Sequence, residues 1–356
     1  GTLHIADGGE VEVIETTYVA SEPGATGEIH FGPGGGTLTT KSLCASPGQL
    51  AGTGTVHTRG LLSDLDLVFD ASHGLTQVIT LDEEENQNIT LNVDMSDPEK
   101  AGTLGAGWRG NGSLAIRDGA AVRSQDAFVG YGAGSVGAAT LSGAGSTWAI
   151  DRYFVVGYHG SGTLEISDGG RAVADYHCSI GFDAGSDGAV MVDGAGSELN
   201  VDRSLCIGGN TLEAGGAGKL AITGGGTVSA GTVLIYGPSC LAVEVGNSSR
   251  LSVGTTLTND GTIRIIAGAA PAAGGVYSPI AATGWSGSGV YQGVGGTWNN
   301  TSHALTASAV EAGAAGTPVS IDLAVTQRVL VDDSATGRSV GVSFLSTTAP
   351  APLDIT

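Results

Sequence analysis

Three aspartates recur at intervals that invite chemistry. Asp151, Asp175 and Asp202 are separated by 24 and 27 residues, and each lies six residues before a glycine that closes an apolar run, at Gly157, Gly181 and Gly208. Ser124 holds the same place before Gly130. Next in line come Gln125, Arg152, Tyr176 and Arg203, followed by Asp126, Tyr153, His177 and Ser204. If these intervals are turns of one stacked coil, the three carboxylates stand about 4.8 Å apart on one edge. Such a ladder can hold a cation, or, with His177 and the tyrosines, supply an acid and a base to a glycosidic bond. The competing reading has Arg152 and Arg203 interleaved with the acids, neutralising a solvated corner. That structural reading is preferred. Asp151, Asp175 and Asp202 stand as the metal-site candidates; no cofactor is expected, and calcium is the cation these acids would admit.

The other chemistry-bearing residues point to turns and core. Asp7, Asp118, Asp168 and Asp193 each precede a glycine, as aspartate does in turns, where its side chain binds its own backbone. The matching positions Ser142 and Thr223 break any unbroken carboxylate column. The run DEEENQN at 82–88 reads as a solvated acidic loop. The seven histidines form no HxH or HExxH motif, and the four cysteines form no CxxC pair. Cys178 falls in phase with inward residues, whereas Cys206 is one position out of phase and is expected to face outward. The four tryptophans make no row on which a sugar would stack.

The elements that carry these residues are legible in the composition. Of 356 residues, 62 are glycine and 41% are apolar, while Lys and Arg together number 14. Glycine at this level without a Gly-X-Y period, among many Val, Ile, Leu and Thr, describes short strands and tight turns. The net charge of −21 repels nucleic acid and anionic lipid. No apolar run approaches the roughly 18–20 residues of a membrane helix.

Units close at Gly130, Gly157, Gly181 and Gly208, with Gly105 and Gly237 extending the series, so the period is about 25 residues. Each unit holds three short alternating runs, as at Leu164/Ile166, Val173 and Cys178/Ile180, separated by glycine-rich corners. Three runs per period predict a right-handed three-sided parallel β-helix, a β-solenoid, with inward columns such as Leu114, Leu164 and Leu220. A second column holds Trp148 and Leu199, and a third Ala127, Phe154, Cys178, Leu205 and Leu234. One uninterrupted solenoid is expected over 1–267, followed by a small β extension and a Pro-containing tail over 268–356.

The segments GSLAIRDGAAV, GSGTLEISDGG, GAGSTWAI and FVVGYHGSGTL resemble repeats of bacterial autotransporter-associated and PEP-CTERM-associated surface proteins. The resemblance is clear over roughly 100–265. It implies an exported β-solenoid without an assigned reaction, and it brings no catalytic residues with it. The expected function is therefore structural and non-enzymatic, at a bacterial cell surface or outside the cell. The alternatives are a carbohydrate- or cation-binding adhesin stalk and a polysaccharide lyase or hydrolase. Because residue 1 already opens a standard coil with Leu3 and Ile5 in phase, the chain itself, stacked end to end into a filament, is an expected partner. Surface polysaccharide is the other, and neither nucleic acid nor membrane insertion is expected.

Overall fold

The computed structural model describes residues 1–307, apart from 23, 269–274 and 295, together with the strand pair Val329–Val331 and Val340–Val342. The chain is all-β, a β-solenoid of about 11 turns in which equivalent strands pair in parallel. Three stacks of strands make its sides. The first runs from Ala121–Ser124 through Thr147–Ile150 and Arg171–Ala174 into the leading halves of Glu198–Ile207, Thr227–Ile235, Arg250–Asn259 and Ile280–Ser286. The second contains Leu104–Ala106, Ala127–Val129, Tyr153–Val156 and His177–Ile180, then the trailing halves of those longer strands. The third runs from Asp66–Phe69 to Val290–Val294.

Alternation sends every second side chain into one continuous core, where Leu164 is 2% exposed and Ile180 fully buried. Pairing in register superposes unlike residues, so volume is shared between neighbours. Leu114, Ala139 and Leu164 stack in sequence, and Trp148 lies between Val122 and Ala172. The Trp148 indole donates to Ser124 Oγ at 3.0 Å, which satisfies its N–H inside the core. Ser124 therefore points inward and is not the corner equivalent of Asp151; that coil's corner is one residue shorter, and Ser124 pairs with Ile150.

The third column changes at its last member. Val233, not Leu234, stacks on Leu205, and Leu234 faces outward beside Cys206. Ile207 pairs with Ile235, so the closing position falls on Tyr236 and counting back from Gly237 lands one residue late. At the other end Gly107, two residues past Gly105, matches Gly130.

Much of the glycine is required by close approach. Gly112, Gly137, Gly162, Gly188 and Gly218 form one register column at the start of the third side. A Cβ on Gly162 would lie 2.2 Å from the Val129 carbonyl oxygen, and its column neighbours are similarly confined. The closing glycines Gly130, Gly157, Gly181 and Gly208 have φ between 73° and 86°, a region that side chains disfavour.

The expectation of an uninterrupted solenoid fails within 51–110. Thr76–Leu81 folds back antiparallel on Gln87–Asp94, which itself stacks in parallel on Leu50–Thr58. The exposed acidic loop 82–86 is short enough to return the chain directly, and a tight reversal enforces antiparallel pairing. At the base of this hairpin, buried Asp70 accepts from Ser72, from the His73 backbone and ring, and from Arg117 Nε at 3.1 Å. Burial alone would raise its pKa, but these donors hold it well below the usual carboxylate range.

Parallel pairing continues past residue 267. Ile280–Ser286 and Val290–Val294 add a further coil, and Val276–Tyr277, Gly296–Asn299 and Ala304–Ala307 form an antiparallel sheet. Buried Leu305 joins the core there, with Trp298 and Tyr277 packed against it, so this sheet caps the apolar cross-section. The rest of the expected extension, and its Pro-containing tail, lies outside the described residues apart from the 329–331/340–342 pair.

Replacing Leu164 with Ala should cost about 2–5 kcal/mol, with Asp costing more, because neighbouring coils cannot collapse into the space. Denaturant unfolding measures this, and an unchanged midpoint would contradict the stacking. The Asp70 contribution has a defined sign. Its folded pKa lies below the unfolded value of about 3.9, so the stability it adds is complete above that value and is lost as pH falls through the folded pKa. Asp70→Asn should melt well below wild type at pH 7, and the gap should narrow in thermal melts taken below about pH 4.

Candidate functional site

The corner between the first and second sides carries the residues singled out by chemistry. Register equivalence of Asp151, Asp175 and Asp202 holds, since Ile150 pairs with Ala174 and Ala174 with Val201. The three carboxylates nonetheless do not act together. Arg123 of the preceding coil takes Asp151 in an ion pair of 2.7 Å, while Asp175 and Asp202 are exposed. Among the described residues, no three His, Cys, Asp or Glu side chains converge as a metal ion requires. The arginines neutralise the corner along routes other than the simple interleaving expected. Arg152 binds Asp126 through both Nε, at 3.2 Å, and a terminal nitrogen, at 2.6 Å, and Arg203 lies over the Tyr176 ring at 4.7 Å. Tyr176 also contacts His177 and Tyr153. Burial, followed by the charge of Arg203, lowers the His177 pKa, which keeps the ring neutral at pH 7.

Farther along the same corner the surface recedes. Gly231 alone bridges the corner where Asp202 and Arg203 stand one coil earlier, and Gly254 follows on the next coil. The result is a groove of about 790 Å³, bounded at its far end by Trp285 and His303. Those two rings are parallel and stacked face to face, their centroids 3.8 Å apart at an interplanar angle of 3°. Burial lowers the His303 pKa, so it too is neutral at pH 7.

A second feature escaped the sequence reading. Four closing glycines at φ near 75° turn the chain outward and lay an aromatic residue across the second side: Trp108 after Gly107, Tyr131 after Gly130, Tyr158 after Gly157 and Phe182 after Gly181. Consecutive rings lie 4.6, 4.9 and 5.0 Å apart, and Tyr18 joins at 6.0 Å from Trp108. This tier covers outward positions. Cys44, Leu62 and Trp108 form a second small core, and the Trp108 indole donates to the Val19 carbonyl at 3.1 Å. The signal was present as GWRG, GYGA, GYHG and GFDA, one aromatic directly after each glycine. Cys206 does point outward, as expected, yet it is fully buried, next to Ser179 and Tyr236. Burial pushes its thiol up to about 12 and raises those of Cys44 and Cys178 as well, so none of the three is a nucleophile at neutral pH.

The Asp-Gly turns serve the backbone. Asp118 and Asp168 adopt φ of 53° and 52°, and Asp193 Oδ1 accepts from Thr223 Oγ1 at 2.6 Å. Buried serines below the turns complete them, as Ser146 Oγ accepts from the Gly119 amide at 3.0 Å and Ser197 Oγ from Gly169 at 3.1 Å. No helix among the described residues is long and apolar enough to cross a membrane. Comparison of the chain with protein-family models, with curated proteins and with solved structures found no match.

Removing a ring from the tier should uncover the second core. Tyr131→Ala is expected to cost about 2 kcal/mol and to change Trp108 fluorescence, whereas Tyr131→Phe, which keeps the ring, should be near neutral. Equal effects of the two variants in denaturant unfolding would show that the hydroxyl, not the stacking, holds the tier.

Proposed function

We propose that the chain is a structural rod of a bacterial cell surface or extracellular matrix, not an enzyme. The observation that carries this reading is the stack of about 11 turns, whose inward side chains join in one core from Ile5 to Leu305 and make an extended body. Several of the chemistry-bearing groups are engaged in holding that body. Asp70 secures the hairpin base, Asp126 and Asp151 are ion-paired, and three thiols are buried. The net charge of −21 gives the exterior a repulsion that keeps rods apart and polyanions away. The glycine-rich repeats that resemble exported surface proteins agree with a location outside the cell.

End-to-end assembly is a finer part of the reading and the rod does not depend on it. At the capped end an incoming copy would meet Leu305, Trp298 and Tyr277 with their antiparallel sheet in place of a bare coil. Solution scattering tests the rod: eleven turns at about 4.8 Å give a stiff body roughly 50 Å long. Incubation with neutral and acidic polysaccharides should release no reducing ends and no unsaturated uronides. Turnover abolished by Asp202→Asn or by His177→Ala would replace the structural reading with an enzymatic one.

A further inference from the structure

We propose that the groove floored by Gly231 and Gly254 binds a short neutral oligosaccharide. This goes beyond the rod reading and does not require it. Three observations converge on the groove, beginning with its floor. Gly231 is glycine by necessity, because a Cβ would lie 2.6 Å from the Arg203 carbonyl oxygen. Gly254 is under no such demand. Its φ is not in the left-handed region, and the nearest atom to an added Cβ, the Gly231 carbonyl oxygen, is 3.5 Å away. A side chain would fit there, and it would fill the groove. Its absence keeps the depression open where the preceding coils carry Asp202, Arg203 and Tyr176.

The wall is the second observation. Asn200, Ser229 and Ser252 occupy one register column on consecutive coils and line the groove beside Asp202. Among the described residues none of these four side chains has a hydrogen-bond or ion-pair partner, although Thr232, Thr255 and Thr283 just across the corner are all bonded. An amide and two hydroxyls at a repeat of about 4.8 Å, with a carboxylate beside the first, present donors and acceptors along a line. A chain of sugar rings, each about 5 Å long with vicinal hydroxyls, matches that repeat over two or three units.

Charge and the end wall complete the assignment. Asp202 is the one charged side chain lining the groove at neutral pH, because His303 is held neutral by burial. On a chain of −21 this excludes uronic acids and sulfated sugars and favours an uncharged ligand. The stacked Trp285–His303 pair closes the far end with an apolar surface against which one sugar can rest.

The test is titration calorimetry of the full chain with neutral tri- and tetrasaccharides of glucose, xylose, mannose and galactose, with oligogalacturonate alongside. At least one neutral chain should bind. Gly254→Leu, which fills the groove, and the double variant Asn200→Ala/Ser252→Ala should each weaken it by at least about tenfold, with thermal melts unchanged. Binding by none of the neutral sugars, binding by oligogalacturonate alone, or affinity unaltered in Gly254→Leu would each overturn the assignment. Cleavage of a bound sugar would bear on the rod reading and leave the groove assignment standing.

Discussion

Parallel backbone pairing at a fixed spacing between coils is the constraint on which everything else rests. Each strand gives its hydrogen bonds to the coil before and the coil after, so no coil can shift without breaking two ladders. Neighbouring inward side chains are thereby held at one separation, and their volumes must compensate along each column. Phe154 sits between Ala127 and Cys178, and Trp148 between Val122 and Ala172. The same spacing brings backbone against backbone where a side begins, which is why Gly137, Gly162, Gly188 and Gly218 tolerate no Cβ.

Sheets stacked this way would leave the outward side of each strand to solvent. On the second side they do not, because Gly107, Gly130, Gly157 and Gly181 redirect the chain and fold an aromatic ring back over it. Phe128, Val155 and Ser179 lie beneath or beside that tier, and Trp108 ties it to the first coils through Val19. Arg109 adds bonds to the carbonyls of Ala20 and Ala25, so the segment around residue 20 is fastened to a coil some 85 residues away. The molecule thus has an inner core shared by all three sides and an outer one confined to a single side.

The corners are where the repeat is free to vary, and the groove arises there. Insertion or loss of one corner residue leaves the strands on either side in register, as the shift between Val201 and Ser204 shows. Along one edge this freedom yields an ion-paired, aromatic surface at Asp126, Arg152 and Tyr176, followed by a receding one at Gly231 and Gly254. A rigid stack therefore offers two different surfaces on the same edge with no cost to its core. Binding to the receding part would need no movement of the coils, because its polar wall is fixed by the strands that carry it.

Alternation and glycine spacing in the sequence were sufficient for the solenoid, its period and most inward residues, because one rule of pairing acts locally and repeats. Leu114, Trp148 and Ile180 could be assigned inward from phase alone, and the equivalence of Asp151, Asp175 and Asp202 followed from the same count. Phase failed at Ser124, where a corner is one residue shorter, and at Leu234, where the closing position falls on Tyr236 and not on the glycine after it. Turning direction was also beyond it: nothing in GYHG states that the tyrosine folds back over the strand, or that Cys206 is buried while facing out. What the side chains do at the corner depended on the tertiary structure as well. Arg123 meets Asp151, and Asn200, Ser229 and Ser252 find no hydrogen-bond partner among the described residues, because their neighbours come from coils two dozen residues away.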